Sequence, residues 1–145
     1  MKYVCSCVIN APVQKVTELF LDDSNFSKWQ DGFQSLEIIS GEKWQVGTRS
    51  KIILQQGKMR IELEETILEN NLPNMIMGRY EHKHMTNTQK SCFIATVDNK
   101  TEYISEVEYT QFNGVIPKLL SMLFPGKFKA QSQKWMNQFK KLAEE

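Results

Sequence analysis

Residues 115–145 read VIPKLLSMLFPGKFKAQSQKWMNQFKKLAEE, and this stretch decides the fold of the chain. Its apolar residues recur every three or four positions, which is the spacing of one face of an α-helix. The pattern predicts a long amphipathic C-terminal helix that is interrupted or kinked at Pro125 and Gly126. The apolar stripe consists of Ile116, Leu119, Leu120, Leu123, Phe124, Phe128, Trp135, Phe139 and Leu142, with Ser132 as its small member.

The residues before this helix predict a series of β-strands with one short helical insertion. A strand over Lys2–Ile9 leads to Pro12, which suits the first turn of a helix over Val13–Leu21 because its missing N–H is not needed there. A second short helical segment carries Phe26 and Trp29. Alternating apolar and polar residues, separated by turn residues, then predict six strands over residues 34–40, 48–55, 59–69, 75–84, 90–97 and 101–112.

Composition excludes several classes of function. The chain has 145 residues, a formal net charge of +1, 41% hydrophobic and 24% charged residues, which predicts one globular domain without a field that attracts nucleic acid. No stretch approaches the roughly 20 apolar residues of a membrane helix, and the N-terminus is too short and too alternating for a signal peptide. We therefore expect a cytoplasmic protein that neither inserts into membranes nor binds nucleic acid.

The local matches Ile9-Asn10-Ala11-Pro12-Val13, Phe26-Ser27-Lys28-Trp29 and Gly47-Thr48 resemble one superfamily. In the order of its elements the chain is similar to START-like, or Bet v 1-like, proteins, and within them to the bacterial polyketide cyclase/dehydrase-like SRPBCC proteins. The resemblance covers residues 1–145 as a single domain. It implies an α+β helix-grip fold, in which seven antiparallel strands curve around the C-terminal helix. Members include carriers of lipids and hormones, cyclases and co-chaperones, and no shared catalytic motif carries over.

Glu65 is the main candidate for a functional polar group. Strand alternation places it on an apolar face between Leu63 and Ile67. A carboxylate there is either an anchor or an acid/base group in a ligand cavity, or it is turned to solvent by a bulge or paired at a strand end. Because register is uncertain in a short strand, we favour the solvent-facing or ion-paired arrangement over the cavity-facing one.

Tyr80 and His82 share one face of another predicted strand with Gly78. A glycine inside a strand indicates a bend or a close approach. The two polar rings either contact a cavity or lie at a solvent-facing sheet edge. His82 and His84 fall on one face of that strand, but no third metal ligand stands at a telling spacing. Cys5 and Cys7 are interpreted as small, half-buried residues of a reduced protein.

These observations predict a protein that binds a small hydrophobic or amphipathic molecule between the sheet and the C-terminal helix. The alternatives are a cyclase or dehydratase that uses a cavity acid/base group, and a co-chaperone-like interaction protein with a filled interior. We expect a monomer or weak dimer, with no cofactor, no metal and no assigned catalytic residue. The expected ligand-binding residues are Trp29, Leu54, Ile61, Leu63, Glu65, Tyr80, His82, Phe93, Tyr109, Leu120, Phe124 and Phe128.

Overall fold

The computed structural model describes residues 1–115 and 125–145, with backbone alone at Pro125. Its helices are α1 (Val13–Leu21), α2 (Phe26–Trp29) and α3 (Pro125–Ala143), and a single 3₁₀ turn covers Asp23–Asn25. Its strands are β1 (Lys2–Ile9), β2 (Phe33–Ser40), β3 (Arg49–Gln56), β4 (Met59–Asn71), β5 (Met75–Glu81), β6 (Met85–Ala95) and β7 (Thr101–Phe112). The first half of the expected C-terminal helix, with Leu120 and Phe124, lies outside the described residues.

The seven strands form one antiparallel sheet in the order β1-β7-β6-β5-β4-β3-β2. Consecutive strands from β2 to β7 are neighbours, and β1 pairs with β7 at the far edge. Helix α3 packs mainly against β1 and α2. The predicted α+β helix-grip architecture, with a curved sheet and short helices after the first strand, is confirmed.

Aromatic side chains build the core at the end of the sheet where α1 and α2 cross it. Phe139 of α3 contacts Phe20, Trp29 and Tyr103, with ring centroids 5.1–5.9 Å apart. Phe93 of β6 stacks edge-on against Phe20 and Tyr103 at 5.2 and 4.8 Å. Edge-to-face aromatic pairs of this kind stabilise a fold by more than the burial of their apolar surface alone. These rings join α1, α2, α3 and the sheet.

The hairpin between β5 and β6 differs from the sequence expectation. β5 ends at Glu81 and β6 begins at Met85, whereas the predicted strands covered residues 75–84 and 90–97. The N–H of His82 donates to the Met85 carbonyl at 2.8 Å, and the Met85 N–H donates back to His82 at 3.3 Å, so Lys83 and His84 form a tight loop. His82 and His84 therefore do not share a strand face. The loop contains no glycine or proline, so the sequence lacks the usual turn signal.

Thr101 links β7 to the turn before α1 through a buried hydrogen bond. Its hydroxyl donates to the Ala11 carbonyl at 2.8 Å, and the side chain is fully buried. Replacing Thr101 with valine keeps the shape but removes the donor, and should lower the free energy of unfolding by about 1–2 kcal/mol. Urea denaturation measures this loss. The matched variant Thr110→Val alters an exposed threonine on the same strand and should change stability by less than about 0.5 kcal/mol. Equal losses in the two variants would contradict the prediction.

Candidate functional site

A large cavity lies between the concave face of the sheet and α3. Its volume is about 1070 Å³, slightly above the roughly 300–1,000 Å³ typical of ligand sites. Most of its wall is apolar, with Ile52, Leu54, Ile61, Leu63 and Ile67 supplied by β3 and β4. These side chains face inward because every second residue of a strand points to the same side of the sheet. The strand alternation in the sequence thus produces the apolar wall.

The two ends of the cavity differ in character. The floor is made by aromatic residues of the helical insertion and of the loop between β2 and β3, namely Phe20, Phe26, Trp29 and Trp44. The mouth is made by Gln56, Met59, His82, His84 and Asn113, which stand at or beside the opposite ends of the strands. Met59 is 63% exposed, so its side chain borders both the cavity and solvent.

A row of four polar side chains crosses the concave face between floor and mouth. Glu65 pairs with Tyr80, Tyr80 pairs with Asn87, and Asn87 pairs with Tyr109, on the four successive strands β4, β5, β6 and β7. Residues paired in this way point to the same face of the sheet, and all four line the cavity. We call this set the polar row. Buried Ser50 extends it on β3 as the register partner of Glu65.

Glu65 faces the cavity, and the expectation that it points to solvent is wrong. The residue is only 5% exposed. The bulge in β4 falls between Ile67 and Glu69, which leaves the alternation intact through Glu65. Burial raises the pKa of the Glu65 carboxyl above its ordinary value, and a hydrogen-bonding interaction with the Tyr80 hydroxyl offsets only part of this rise.

Tyr80 is held over Gly78, which explains the glycine in the middle of β5. A Cβ atom at Gly78 would lie 3.1–3.3 Å from the Tyr80 ring and hydroxyl. Glycine, which has no Cβ atom, avoids this close contact with the ring. The predicted close approach is therefore present. Burial and the adjacent Glu65 carboxylate raise the pKa of Tyr80 well above its usual range. The phenol remains a neutral hydrogen-bond donor.

The two histidines form a pair at the mouth. Their ring centroids lie 5.3 Å apart, and His82 Nδ1 accepts a hydrogen bond from the His84 backbone N–H at 3.2 Å. Burial, together with the charges of His84 and Lys83, lowers the pKa of His82. His82 is therefore neutral at neutral pH and presents a polar, uncharged edge to the entrance.

Nine of the twelve expected binding residues line the cavity, and they are Trp29, Leu54, Ile61, Leu63, Glu65, Tyr80, His82, Tyr109 and Phe128. Phe93 lies instead in the aromatic core, 3% exposed between Phe20 and Tyr103. It faces the same side of the sheet as the cavity wall, but α1 covers it. Leu120 and Phe124 fall outside the described residues.

Several polar lining residues were not among the expected set. The Tyr3 hydroxyl shares a hydrogen bond of 2.7 Å with Ser132 of α3 and also interacts with Tyr109. Gln89 donates to Ser105 at 3.2 Å. Alternation in β1 and β6 could have placed Tyr3, Asn87 and Gln89 on the concave face, but it does not show that the sheet brings these two strands together.

Metal and thiol chemistry find little support in the described part of the chain. There, no three His, Cys, Asp or Glu side chains come together as a possible metal site. Cys5, Cys7 and Cys92 are free, and burial raises the pKa of Cys7 to about 11. Such a thiol is protonated at neutral pH and is a poor nucleophile. Across residues 1–115 and 125–145, no helix is long and apolar enough to cross a membrane.

Comparison with solved structures shows the fold. The ZhuI aromatase/cyclase from Streptomyces sp. R1128 matches with a TM-score of 0.80 at 10% identity, over 99% of this chain and 93% of that one. The Bet v 1-like allergen Ara h 8.0201 matches with a TM-score of 0.76 at 14% identity, over 99% and 97%. A START superfamily protein from Mycobacterium smegmatis matches with a TM-score of 0.75 at 9% identity, over 97% and 98%. The chain has the START-like, Bet v 1-like fold. No protein-family model and no curated protein matches its sequence.

Proposed function

We propose that this chain, with its START-like fold, binds a small hydrophobic or amphipathic molecule in the cavity between the sheet and α3. The observation that carries the proposal is a cavity of about 1070 Å³ with a mostly apolar wall, an aromatic floor and the polar row. Ligand sites commonly combine an apolar lining with a few placed polar groups. Proteins of similar fold include an aromatase/cyclase, which is consistent with a small-molecule cavity.

Apolar burial would supply the affinity and the polar row would supply orientation. Each Å² of apolar surface removed from water contributes about 25 cal/mol before the costs of association. Tyr80, Asn87 and Tyr109 are register partners on adjacent strands and all line the cavity. A polar group of the ligand would hydrogen-bond to the polar row while its apolar part rests against the floor.

Filling the cavity should abolish binding without unfolding the protein. Leu63 lines the cavity on β4, whereas its neighbour Glu62 is exposed on the opposite face. We expect Leu63→Trp to weaken binding of the uncharged fluorescent dye phenylnaphthylamine by at least about tenfold, because the indole occupies part of the cavity. Fluorescence titration measures the dissociation constant. The control Glu62→Trp should leave it unchanged, and an equal effect of both variants would argue against the cavity as the binding site.

The natural ligand can be sought directly. Native mass spectrometry of protein purified from its own source, followed by denaturing extraction, would identify a co-purifying molecule. A stoichiometric apolar or amphipathic compound supports the proposal. If no compound co-purifies and the dye binds wild type and the Leu63→Trp variant equally, the proposal fails.

An enzyme of the cyclase or dehydratase type is the second candidate. It is favoured by the buried Glu65 carboxyl, whose raised pKa and contact with Tyr80 suit proton transfer inside a cavity. In such an enzyme, Glu65→Gln would still bind the co-purified molecule but would no longer convert it. Mass spectrometry of that molecule after incubation with wild type or variant distinguishes a carrier from an enzyme, since a carrier returns it unchanged in both cases. The open cavity does not favour the third hypothesis, an interaction protein with a filled interior.

A further inference from the structure

We infer that the cavity selects molecules that carry a basic nitrogen, and that the ligand's ammonium group pairs with the Glu65 carboxylate. This inference rests on the proposed binding function and names the chemical class of the ligand. It follows from a carboxylate placed inside an aromatic cavity without a cationic partner among the described residues.

Glu65 differs from the neighbouring acidic residues in its surroundings. On the outer face of the sheet, Glu64 pairs with Arg49 at 2.6 Å and Glu81 pairs with Arg79 at 2.7 Å. Glu65 instead has Ser50 and Tyr80 as its cross-strand partners, and neither carries a positive charge. Burial raises the pKa of Glu65, the Tyr80 hydroxyl partly offsets this rise, and no described cation contributes to the shift.

A buried carboxylate without a counter-charge is costly, and leucine or glutamine would avoid that cost. A ligand that brings an ammonium group supplies the missing charge and restores the ionised carboxylate. Tyr80 is the cross-strand partner of Glu65, and its hydroxyl favours the ionised form of the carboxyl by lowering its pKa. The ionised Glu65 carboxylate therefore lowers the stability of the protein when the cavity is empty. It contributes favourably to binding when the ligand carries a cation.

The remainder of the cavity suits an organic cation. Aromatic rings attract cations through their faces, and the effect grows when both groups are removed from water. Tyr80 and Tyr109 flank Asn87 in the polar row beside Glu65, and the floor consists of further rings. The aromatic lining residues are Tyr3, Phe20, Phe26, Trp29, Trp44, Tyr80, Tyr103, Tyr109, Phe128 and Trp135.

Glu65 is the only carboxylate among the described residues that line the cavity. The other titratable groups that face the cavity are tyrosines, histidines and one lysine. The tyrosines Tyr3, Tyr80, Tyr103 and Tyr109 all have raised pKa values and stay neutral. His82 and His84 lie at the mouth, where His82 is neutral because its pKa is lowered. Lys127 lines the cavity from the first turn of α3 and does not contribute to the pKa of Glu65. Among the described lining residues, Glu65 is thus the carboxylate that a cationic ligand would pair with.

Three probes of one skeleton test the inference, namely naphthylbutylamine, naphthylbutanol and naphthylbutanoic acid. Their dissociation constants are measured by calorimetry at a pH above the raised pKa of Glu65. In wild type, the amine should bind at least about tenfold more tightly than the alcohol, and the acid most weakly. In Glu65→Gln this preference should disappear while the alcohol keeps its affinity, which also shows that the variant is folded. The matched variant Glu62→Gln, on the outer face of β4, should keep the preference.

The outcomes separate this inference from the proposed function. If the alcohol binds as tightly as the amine, or if Glu65→Gln retains the preference, the inference is overturned. Even if the inference is overturned, the proposed function stands when the alcohol binds to wild type and Leu63→Trp prevents that binding. If none of the three probes binds to wild type, the inference is overturned, and the dye titration and the co-purification experiment decide the proposed function separately. A preference that also declines as the pH falls and Glu65 becomes protonated would support the inference.

Discussion

Replacing Phe139 with alanine is expected to lower the free energy of unfolding by about 3–5 kcal/mol. Phe139 is fully buried on α3 and contacts three rings, those of Phe20, Trp29 and Tyr103. These rings belong to α1, α2 and β7, so truncation opens a void where all the layers of the fold meet. Surrounding rings cannot collapse freely into the void because each is packed against others. Urea denaturation followed by circular dichroism measures the loss.

The control for this prediction lies on the same helix. Lys141 is exposed, and Lys141→Ala removes a long side chain without opening a cavity, so we expect a change below about 0.5 kcal/mol. Phe139→Leu should fall between the two, since it retains part of the buried volume. A loss of less than about 1 kcal/mol for Phe139→Ala would show that α3 is not anchored through this residue.

Glu65→Gln is expected to stabilise the ligand-free protein, and to do so increasingly as the pH rises. Burial raises the folded-state pKa of Glu65 above its ordinary value of 4.5. The unfolded chain therefore ionises first, so wild type loses stability as the pH rises from about 4.5 to above the folded-state pKa. Glutamine keeps the interaction with Tyr80 and carries no charge. The variant should therefore be more stable than wild type by a margin that grows across this range and is largest at its alkaline end.

Measuring both proteins across the pH range isolates the effect of Glu65. Asp22, Asp31, Glu64, Asp98 and Glu144 have lowered pKa values and produce the opposite dependence, but both proteins share them. The difference between the two stability curves then reports Glu65 alone. It should approach zero below pH 4.5, where the carboxyl is protonated in both the folded and the unfolded state. A pH-independent difference would mean that Glu65 is not a buried titrating group.

Local patterns predicted most elements of this fold. The bounds of Lys2–Ile9, Val13–Leu21 and Thr101–Phe112 agree with the sequence expectation, because alternation and the Pro12 position act over a few residues. The β5–β6 hairpin was misplaced, since its loop closes through backbone hydrogen bonds that any residue can make. The prediction that Phe93 contacts a ligand does not hold, because Phe20 of α1 packs against its ring, a contact that no local pattern in the sequence reveals.

By itself, the sequence determined the element types, the apolar faces and the position of Glu65 within an apolar pattern, because these follow from periods of two and 3.6 residues. Only the tertiary structure decided that Glu65 points into an open cavity beside Tyr80. It also aligned Asn87 and Tyr109 with them in one row. Strand register and sheet curvature depend on contacts between residues far apart in the chain. A periodic pattern, which acts over a few neighbouring residues, carries no information about such contacts.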